Sequence, residues 1–277
     1  MMKKLALILA LLCAMLLCAS VMAEDADITA PETGFAVVAA ENGNPTADLL
    51  GEDGRVLMHY YPGTPVEVLS LGEDGMAKVK VGDKDAWIEG TIRQSELRYG
   101  AKAAREVQRV NDWFSAAEGS PVYAQMDEGS EPILLTGDME TMIVGGYSDD
   151  GWLHIIWPYG GNYDDRGFMR ADGQTLGGAS GMDSWSVPPV EGETTAEVIR
   201  GRAIEETLAH ADELGLAPEE TTREALEKLT FDVRLTYDVQ TGKAQWTVWI
   251  DRDVCDNVSA CTFDAQGTLI RVEHSNG

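Results

Sequence analysis

Apolar and polar residues alternate along much of the chain, in short runs that end at turn residues. Between Met76 and Val81, for example, the apolar positions Ala77, Val79 and Val81 are separated by Lys78 and Lys80. A period of two places one set of side chains on each face of a half-buried β-strand. Runs of strand character lie at 35–38, 66–69, 76–81, 141–144, 152–157, 231–237, 246–250 and 269–272.

A helical period replaces this alternation in two places. Residues 100–117 carry alanines and valines three apart, which favours a short amphipathic helix or a connector. Helical spacing also runs from Ala196 to Leu214, preceded by Thr194 and Glu197 in the arrangement of a capping box. A second short helix is predicted between Pro218 and Leu229.

These patterns predict a mainly β protein with an α+β C-terminal domain, in which a helix covers an antiparallel meander. Short, evenly spaced strands are typical of small barrels. The predicted organisation is an N-terminal segment 1–23, a flexible lead 24–34, a small β-barrel 35–99, a connector 100–118, a second small β-barrel 119–172, a linker 173–193 and the α+β domain 194–277.

The two barrel segments resemble each other. Val66–Leu69 corresponds to Thr141–Val144, Asp74-Gly75-Met76 to Asp150-Gly151-Trp152, and Ala86-Trp87-Ile88 to Gly167-Phe168-Met169. The second segment carries an insertion, Pro158 to Asp165, between its last two strands. A weak internal repeat explains the correspondence.

The first 23 residues have the layout of a secretory signal peptide. Lys3 and Lys4 precede the apolar run Leu5–Leu17, and small residues lead to a cleavage site after Ala23. The apolar run is shorter than the ~20 residues of a membrane-spanning helix. We therefore expect a secreted, extracytoplasmic protein without a membrane span, with association to the cell wall as one alternative. Lipidation at Cys18 or Cys13 is the other, although bulky leucines precede both cysteines.

Acidic residues dominate the charge. The formal net charge is -26, and it becomes -28 without Lys3 and Lys4. Such a chain is repelled by nucleic acids and by anionic membranes, which excludes both as partners. The acidic residues are spread along the whole sequence, so a solvated surface is favoured over a dedicated cation-binding surface.

Two cysteines, Cys255 and Cys261, remain after signal cleavage. In an oxidising compartment an even pair predicts a disulfide, here closing a short loop between two strands. A loop this small contributes about 2 kcal/mol on the chain-entropy model, so the bond would pin a turn rather than hold a domain.

No pattern of residues predicts catalysis, a cofactor or a metal. His59, His154, His210 and His274 have no nucleophile motif beside them, and no Gly-x-Ser-x-Gly elbow occurs. The acidic group Asp251, Asp253 and Asp256 lacks the glycine of a calcium loop, so turn capping is favoured over Ca²⁺ binding. We expect a protein that is not an enzyme.

Aromatic residues crowd the second barrel segment and its insertion. Trp152, Trp157, Tyr159, Tyr163 and Phe168 are the candidate ligand-binding residues. Core packing competes as the explanation of Trp152 and Phe168. Tyr159 and Tyr163 lie in a loop rich in glycine and aspartate, where packing explains aromatic rings less well.

The first barrel segment resembles bacterial Src-homology-3-like domains. The resemblance is carried by Ala47–Leu50, by Tyr61-Pro62-Gly63-Thr64-Pro65-Val66-Glu67-Val68-Leu69, by Asp74–Val81 and by the Trp87 strand. The second segment matches through Asp150-Gly151-Trp152 and Gly167-Phe168-Met169. The resemblance implies small barrels that bind wall components, peptides or partner domains without doing chemistry.

The C-terminal segment is similar to PepSY-type domains. The similarity is carried by the helix, by the strands Phe231–Tyr237 and Trp246–Asp251, and by the hairpin Phe263–Ile270. It implies a role in restraining or binding peptidases, or in sensing at the cell surface.

Together these patterns predict an exported, non-catalytic binding protein of the bacterial envelope. Its partner would be a cell-wall peptide or an exported protein, bound through the small barrels. The alternatives are a peptidase-restraining or sensing protein acting through the C-terminal domain, and an enzyme whose catalytic residues are dispersed. The sequence leaves the oligomeric state open.

Overall fold

The computed structural model describes residues 30–40, 43–83, 85–137, 140–156, 166–171, 176–214, 222–251 and 257–276. By its contacts, the chain from Pro31 to Gly277 is one compact unit. Strands make up 47% of the structure and helices 13%, and all described strand pairs are antiparallel. The prediction of a mainly β protein is confirmed.

The first group of strands follows the alternation in the sequence. It comprises β1 (Gly34–Val38), β2 (Ala47–Leu50), β3 (Val56–Tyr60), β4 (Pro65–Leu71), β5 (Met76–Gly82), β6 (Trp87–Arg93) and β7 (Leu97–Tyr99), with a 3₁₀ turn at Gln94–Glu96. Inward side chains such as Ala36, Val66 and Val79 are buried in one core. Lys78 lies on the outward face of β5, where its ammonium pairs with Glu89 at 3.0 Å.

The second group of strands follows a short helix, α1 (Gly100–Glu106). It comprises β8 (Val110–Ala116), β9 (Pro121–Val122), β10 (Leu134–Leu135), β11 (Glu140–Tyr147), β12 (Trp152–Ile156), β13 (Arg166–Arg170) and β14 (Ser180–Gly181). The helix is shorter than the spacing over 100–117 indicates, because Val110–Ala116 pairs with β11 instead. The core of the second group of strands contains Phe114, Met142 and Leu153.

The two groups join in one sheet through β3 and β11, where Tyr60 faces Gly146 and His59 faces Tyr147. Neither group closes into a barrel among the described strands. Strand β3 pairs with β2 on one side and with β11 on the other, so it has no edge left with which to close the first group. The expectation of closed barrels is therefore corrected to an open, shared sheet.

The C-terminal sheet has the order β15 (Ser184–Ser186), β16 (Thr230–Asp238), β17 (Lys243–Asp251), β18 (Asn257–Asp264) and β19 (Leu269–Asn276). Helix α2 (Ala196–Ala209) buries Ile199 and Ala203 in the same core as Val248 and Phe263 of this sheet. A shorter helix, α3, spans Arg223–Leu226.

The N-cap of α2 is Thr195 rather than the expected Thr194. The Thr195 side chain accepts a hydrogen bond from the Val198 N–H at 3.4 Å. Thr194 instead donates its backbone N–H to Ala265, at the β18–β19 turn. The start of the helix is thereby fixed to the sheet that it covers.

Candidate functional site

The structure describes two of the five aromatic candidates for ligand binding, Trp152 and Phe168. Both are buried, with exposed fractions of 5% and 1%. They form one cluster with Ala86 of the first group and Tyr123 of the second. Trp157 and the insertion that carries Tyr159 and Tyr163 lie outside the described residues.

These contacts identify Trp152 and Phe168 as residues that join the two groups of strands. Phe168 stacks on His154 with ring centroids 4.5 Å apart. The His154 Nδ1 lies 2.8 Å from the hydroxyl of Tyr60, which belongs to the first group. Core packing therefore accounts for both side chains, and a ligand-binding role for them remains a prediction.

Cys261 is a buried free thiol facing helix α2, with its Sγ 3.8 Å from the hydroxyl of Thr207. Burial raises the pKa of this thiol to about 11, although the Thr207 contact acts in the other direction. A neutral thiol is a poor nucleophile at neutral pH. Cys255 lies outside the described residues, so the disulfide remains a prediction.

His59 connects the two groups at the surface. Its Nδ1 lies 2.8 Å from Asp48 and its Nε2 lies 3.2 Å from Asp149, while its ring packs on Tyr147.

Within the described part of the chain, no group of three or more His, Cys, Asp or Glu side chains is placed to hold a metal ion. In the same part, no helix combines the length and the hydropathy that crossing a membrane requires.

A cleft lies on the outward face of the first group, beside β1, the first residue of β4 (Pro65) and the last residue of β5 (Gly82). Its cavity has a volume of about 370 Å³ and adjoins a second cavity of about 320 Å³ that shares Phe35, Pro65 and Gly82. Strand β1 projects Phe35 and Val37 outward because Ala36 and Val38 point into the core. The side chain of Phe35 is half-buried.

The opposite wall of the cleft comes from residues Trp185 to Pro188. Trp185 lies in β15 and pairs with Tyr237 of β16, and Val187 continues the pairing by donating its N–H to the Leu235 carbonyl at 2.9 Å. The residues that follow, Pro188 and Pro189, cannot donate such a bond, so the strand ends at this point.

Glycine backbone forms part of the floor. Gly63 has φ +80°, and a Cβ added there would lie 2.5 Å from the Cα of Arg109. Gly82 has φ +130°, and its Cβ would meet the carbonyl oxygen of Ala86 at 2.2 Å. Both positions therefore need glycine, which leaves the cleft free of side chains there.

The lining is chiefly apolar, with an acidic rim. Phe35, Pro65, Trp185 and Pro188 supply flat or rigid apolar surface. Two acidic residues are part of the lining, Asp83 in the larger cavity and Glu67 in the adjoining one. The Asp83 carboxylate also accepts the backbone N–H groups of Asp85 and Ala86. An apolar concavity of this size with a few polar groups is the usual form of a small ligand site.

An ion pair holds the second wall. The Arg105 guanidinium of α1 donates to both carboxylate oxygens of Glu193, at 2.9 Å from Nη1 and 2.5 Å from Nη2. Burial alone would raise the pKa of Glu193, but the Arg105 hydrogen bonds, the Val190 N–H and the Arg105 charge lower it below its usual value. The carboxylate is therefore ionised at neutral pH.

The sequence does not reveal the cleft, because its second wall lies in the segment 173–193, whose glycines, serines and prolines are typical of a linker. One signal was present: in Phe35-Ala36-Val37-Val38 both faces of the strand are apolar. A strand that is apolar on both faces is covered on both. The outward pair, Phe35 and Val37, contacts the core of the C-terminal sheet.

Comparison with known proteins gives little. A scan against protein-family models finds no match, and a search of curated proteins finds none either. Two solved structures align over most of the chain. NlpC2 from Trichomonas vaginalis has a TM-score of 0.25 and 11% identity, covering 88% of this chain and 93% of that chain. NlpC1 from the same organism has a TM-score of 0.25 and 10% identity, covering 88% and 89%. Likenesses this low carry no argument.

Proposed function

We propose that this protein is an exported, non-catalytic binding protein of the bacterial envelope, and that the cleft binds an extended peptide of the cell wall. The observation that carries the proposal is the apolar cavity of about 370 Å³ between Phe35 and Trp185. Aromatic and proline side chains form grooves that accept extended peptide chains in many recognition modules.

The charge around the cleft favours a peptide that carries an amine. The formal net charge of the chain is -26, and the acidic residues Glu67 and Asp83 are among those that line the cavities. A cationic group gains from such a rim, whereas an anionic chain is repelled. Cross-linking peptides of cell walls carry amino groups of this kind, so the acidic lining favours binding of the end of the peptide that carries the amine.

The succession of strands supports the Src-homology-3-like interpretation. Strands β1, β4, β5 and β6 pair in sequence in the first group, and β8, β11, β12 and β13 pair in the same succession in the second. Both groups then correspond to the proposed repeat. Export is supported by the signal-like first 23 residues, which lie outside the described residues.

The histidine contacts favour a non-catalytic role. His59 faces carboxylates, His154 faces the Tyr60 hydroxyl, and His210 faces the Glu206 carbonyl at 2.9 Å. None of these partners is a serine or cysteine nucleophile, which hydrolysis by a nucleophile and base would require.

The rival proposal, restraint of a peptidase by a PepSY-like C-terminal domain, has one observation in its favour. Side chains of helix α2 share one core with the antiparallel C-terminal sheet, which supports that resemblance. A sedimentation assay and a peptidase assay on one variant separate the two proposals. Glu67→Lys reverses a charge of the adjoining cavity outside the core of the C-terminal sheet, so it should weaken wall binding and leave restraint of a peptidase unchanged.

Co-sedimentation with purified, insoluble peptidoglycan tests the proposed function. Wild-type protein should sediment at low and at moderate salt, and Phe35→Ala should reduce the bound fraction at least fivefold. The matched control is Trp113→Ala, because Trp113 is an exposed aromatic of the second group, 48% accessible and outside the cleft. Tyr159→Ala and Tyr163→Ala test the insertion loop. Failure of the folded wild type to sediment would refute the proposal.

A further inference from the structure

The walls of the cleft come from distant parts of the sequence. Phe35 and Pro65 belong to the first group of strands, whereas Trp185 to Pro188 belong to the edge strand of the C-terminal sheet and the residues after it. A binding site formed in this way exists only while the two parts keep one relative position.

Helix α1 is the element that both parts share. Ala103 and Ala104 of α1 pack in the core of the C-terminal sheet together with Val37 of β1. The carbonyl of Ala104 accepts a hydrogen bond from Trp185 Nε1 at 2.6 Å. The next residue, Arg105, binds Glu193 through two parallel bonds, and the two side chains are only 16% and 8% exposed.

Glu193 also fixes the chain that follows the cleft wall. Its Oε2 accepts the N–H of Val190 at 3.0 Å, and its own N–H donates to the Val190 carbonyl at 3.1 Å. The turn after Pro188 and Pro189 is thereby closed on the same carboxylate that Arg105 holds. One ion pair thus connects α1 with the end of the wall.

We propose that Arg105 and Glu193 are positioning residues for the cleft, so that the C-terminal sheet is part of the binding site rather than a separate functional domain. The inference rests on the proposed function for its consequence, which is that peptide affinity depends on a pair that the peptide does not touch. It also has a consequence for the protein without ligand, namely that the Arg105–Glu193 pair orders the Trp185–Pro188 wall.

Arginine is required at this site for a geometric reason. A guanidinium presents two parallel N–H donors to a carboxylate, whereas a lysine ammonium is a single point charge. Arg105→Lys should therefore restore the charge but only part of the positioning. The exchanged pair Arg105→Glu with Glu193→Arg should restore the charges but not the turn, because an arginine at position 193 has no oxygen to accept the Val190 N–H.

The experiment combines amide hydrogen exchange with peptidoglycan co-sedimentation on the full-length protein. Arg105→Leu is compared with wild type, Arg105→Lys and the exchanged pair. The matched control is Arg223→Leu, which removes the exposed ion pair between Arg223 and Glu205. In Arg105→Leu, exchange at 184–190 should quicken at least tenfold, while exchange in β5 and β6 stays unchanged. The bound fraction should fall at least fivefold.

Each outcome decides a separate point. Unchanged exchange at 184–190 in Arg105→Leu would overturn the positioning role, and so would faster exchange with undiminished binding. Partial recovery with Arg105→Lys, and less with the exchanged pair, supports the role, because recovery then follows the hydrogen bonds that each pair can form rather than its charges. If the wild type fails to sediment, the proposed function is refuted. The rate of amide exchange at 184–190 then shows by itself whether the ion pair orders the wall.

Discussion

Single aromatic residues show how strongly a role depends on surroundings. Trp152 and Phe168 lie beside a predicted binding loop in the sequence, yet each is buried against the other group of strands. Phe35, in contrast, lies in an ordinary apolar strand and forms the cleft wall. The residue types could be read from the sequence, but their exposure could not, because it depends on partners that are distant in the sequence, such as Ala86 for Phe168 and Trp185 for Phe35.

At the residue scale, we predict that Tyr60→Phe lowers the free energy of unfolding by about 1–2 kcal/mol. The substitution removes the hydroxyl that lies 2.8 Å from Nδ1 of the buried His154 and leaves that nitrogen without this partner. Urea denaturation measures the change. Tyr147→Phe, at a half-buried tyrosine nearby, is the control and should stay within about 0.5 kcal/mol. Equal losses in both variants would contradict the assignment.

At the scale of elements, the alternation of apolar and polar residues predicted strands well. The spacing of apolar residues by three after residue 100 predicted a helix longer than the observed α1. Phe231, Val233, Leu235 and Tyr237 alternate, and β16 spans Thr230–Asp238. The helical spacing after residue 100 continues to Val110, but α1 ends at Glu106. Residues Asp112–Ala116 of β8 pair instead with β11, and the local spacing of apolar residues cannot reveal a partner strand that begins 24 residues after Ala116.

The junction between β3 and β11 yields a second prediction. A Cβ at Gly146 would lie 2.6 Å from the Tyr60 ring and 2.9 Å from the backbone oxygen of His59. Gly146→Ala should therefore lower the free energy of unfolding by about 2–3 kcal/mol, because neither neighbour can move without breaking the junction.

Gly201 provides the matched control, since it lies inside α2 and a Cβ there meets nothing within 4 Å. Gly201→Ala should raise the free energy of unfolding by up to about 1 kcal/mol, through helix propensity. Thermal and urea denaturation of both variants supply the comparison. A neutral Gly146→Ala would show that the two groups of strands are not packed as described.

At the scale of the whole molecule, the cleft forms only when distant parts of the chain fold together. Its two walls and its supporting ion pair come from residues 35–105 and 185–193. The composition of 173–193 is that of a linker, and nothing in its sequence marks Trp185 as a partner of α1. The mainly β character could be predicted, but a site shared between distant segments could not.

The ion pair makes a prediction about pH. Because the pKa of Glu193 is lowered in the folded protein, its stabilising contribution is full above the ordinary glutamate value of 4.5 and is lost as the pH falls through the lower folded value. Glu193→Gln should cost about 2 kcal/mol at pH 7, and the difference from wild type should shrink below pH 4.5. Urea denaturation from pH 3 to 7 measures it, with Glu205→Gln as the exposed control. A difference that grows in acid would contradict the account.

The location of the bound peptide tests the central claim most directly. Hydrogen exchange of the wild-type protein is measured with and without a saturating concentration of soluble peptides released from peptidoglycan. The account predicts slower exchange at 34–37, 63–67 and 184–188, the two walls and the floor of the cleft, with little change elsewhere. Protection confined to the insertion at 158–165, or no protection at all, would contradict it.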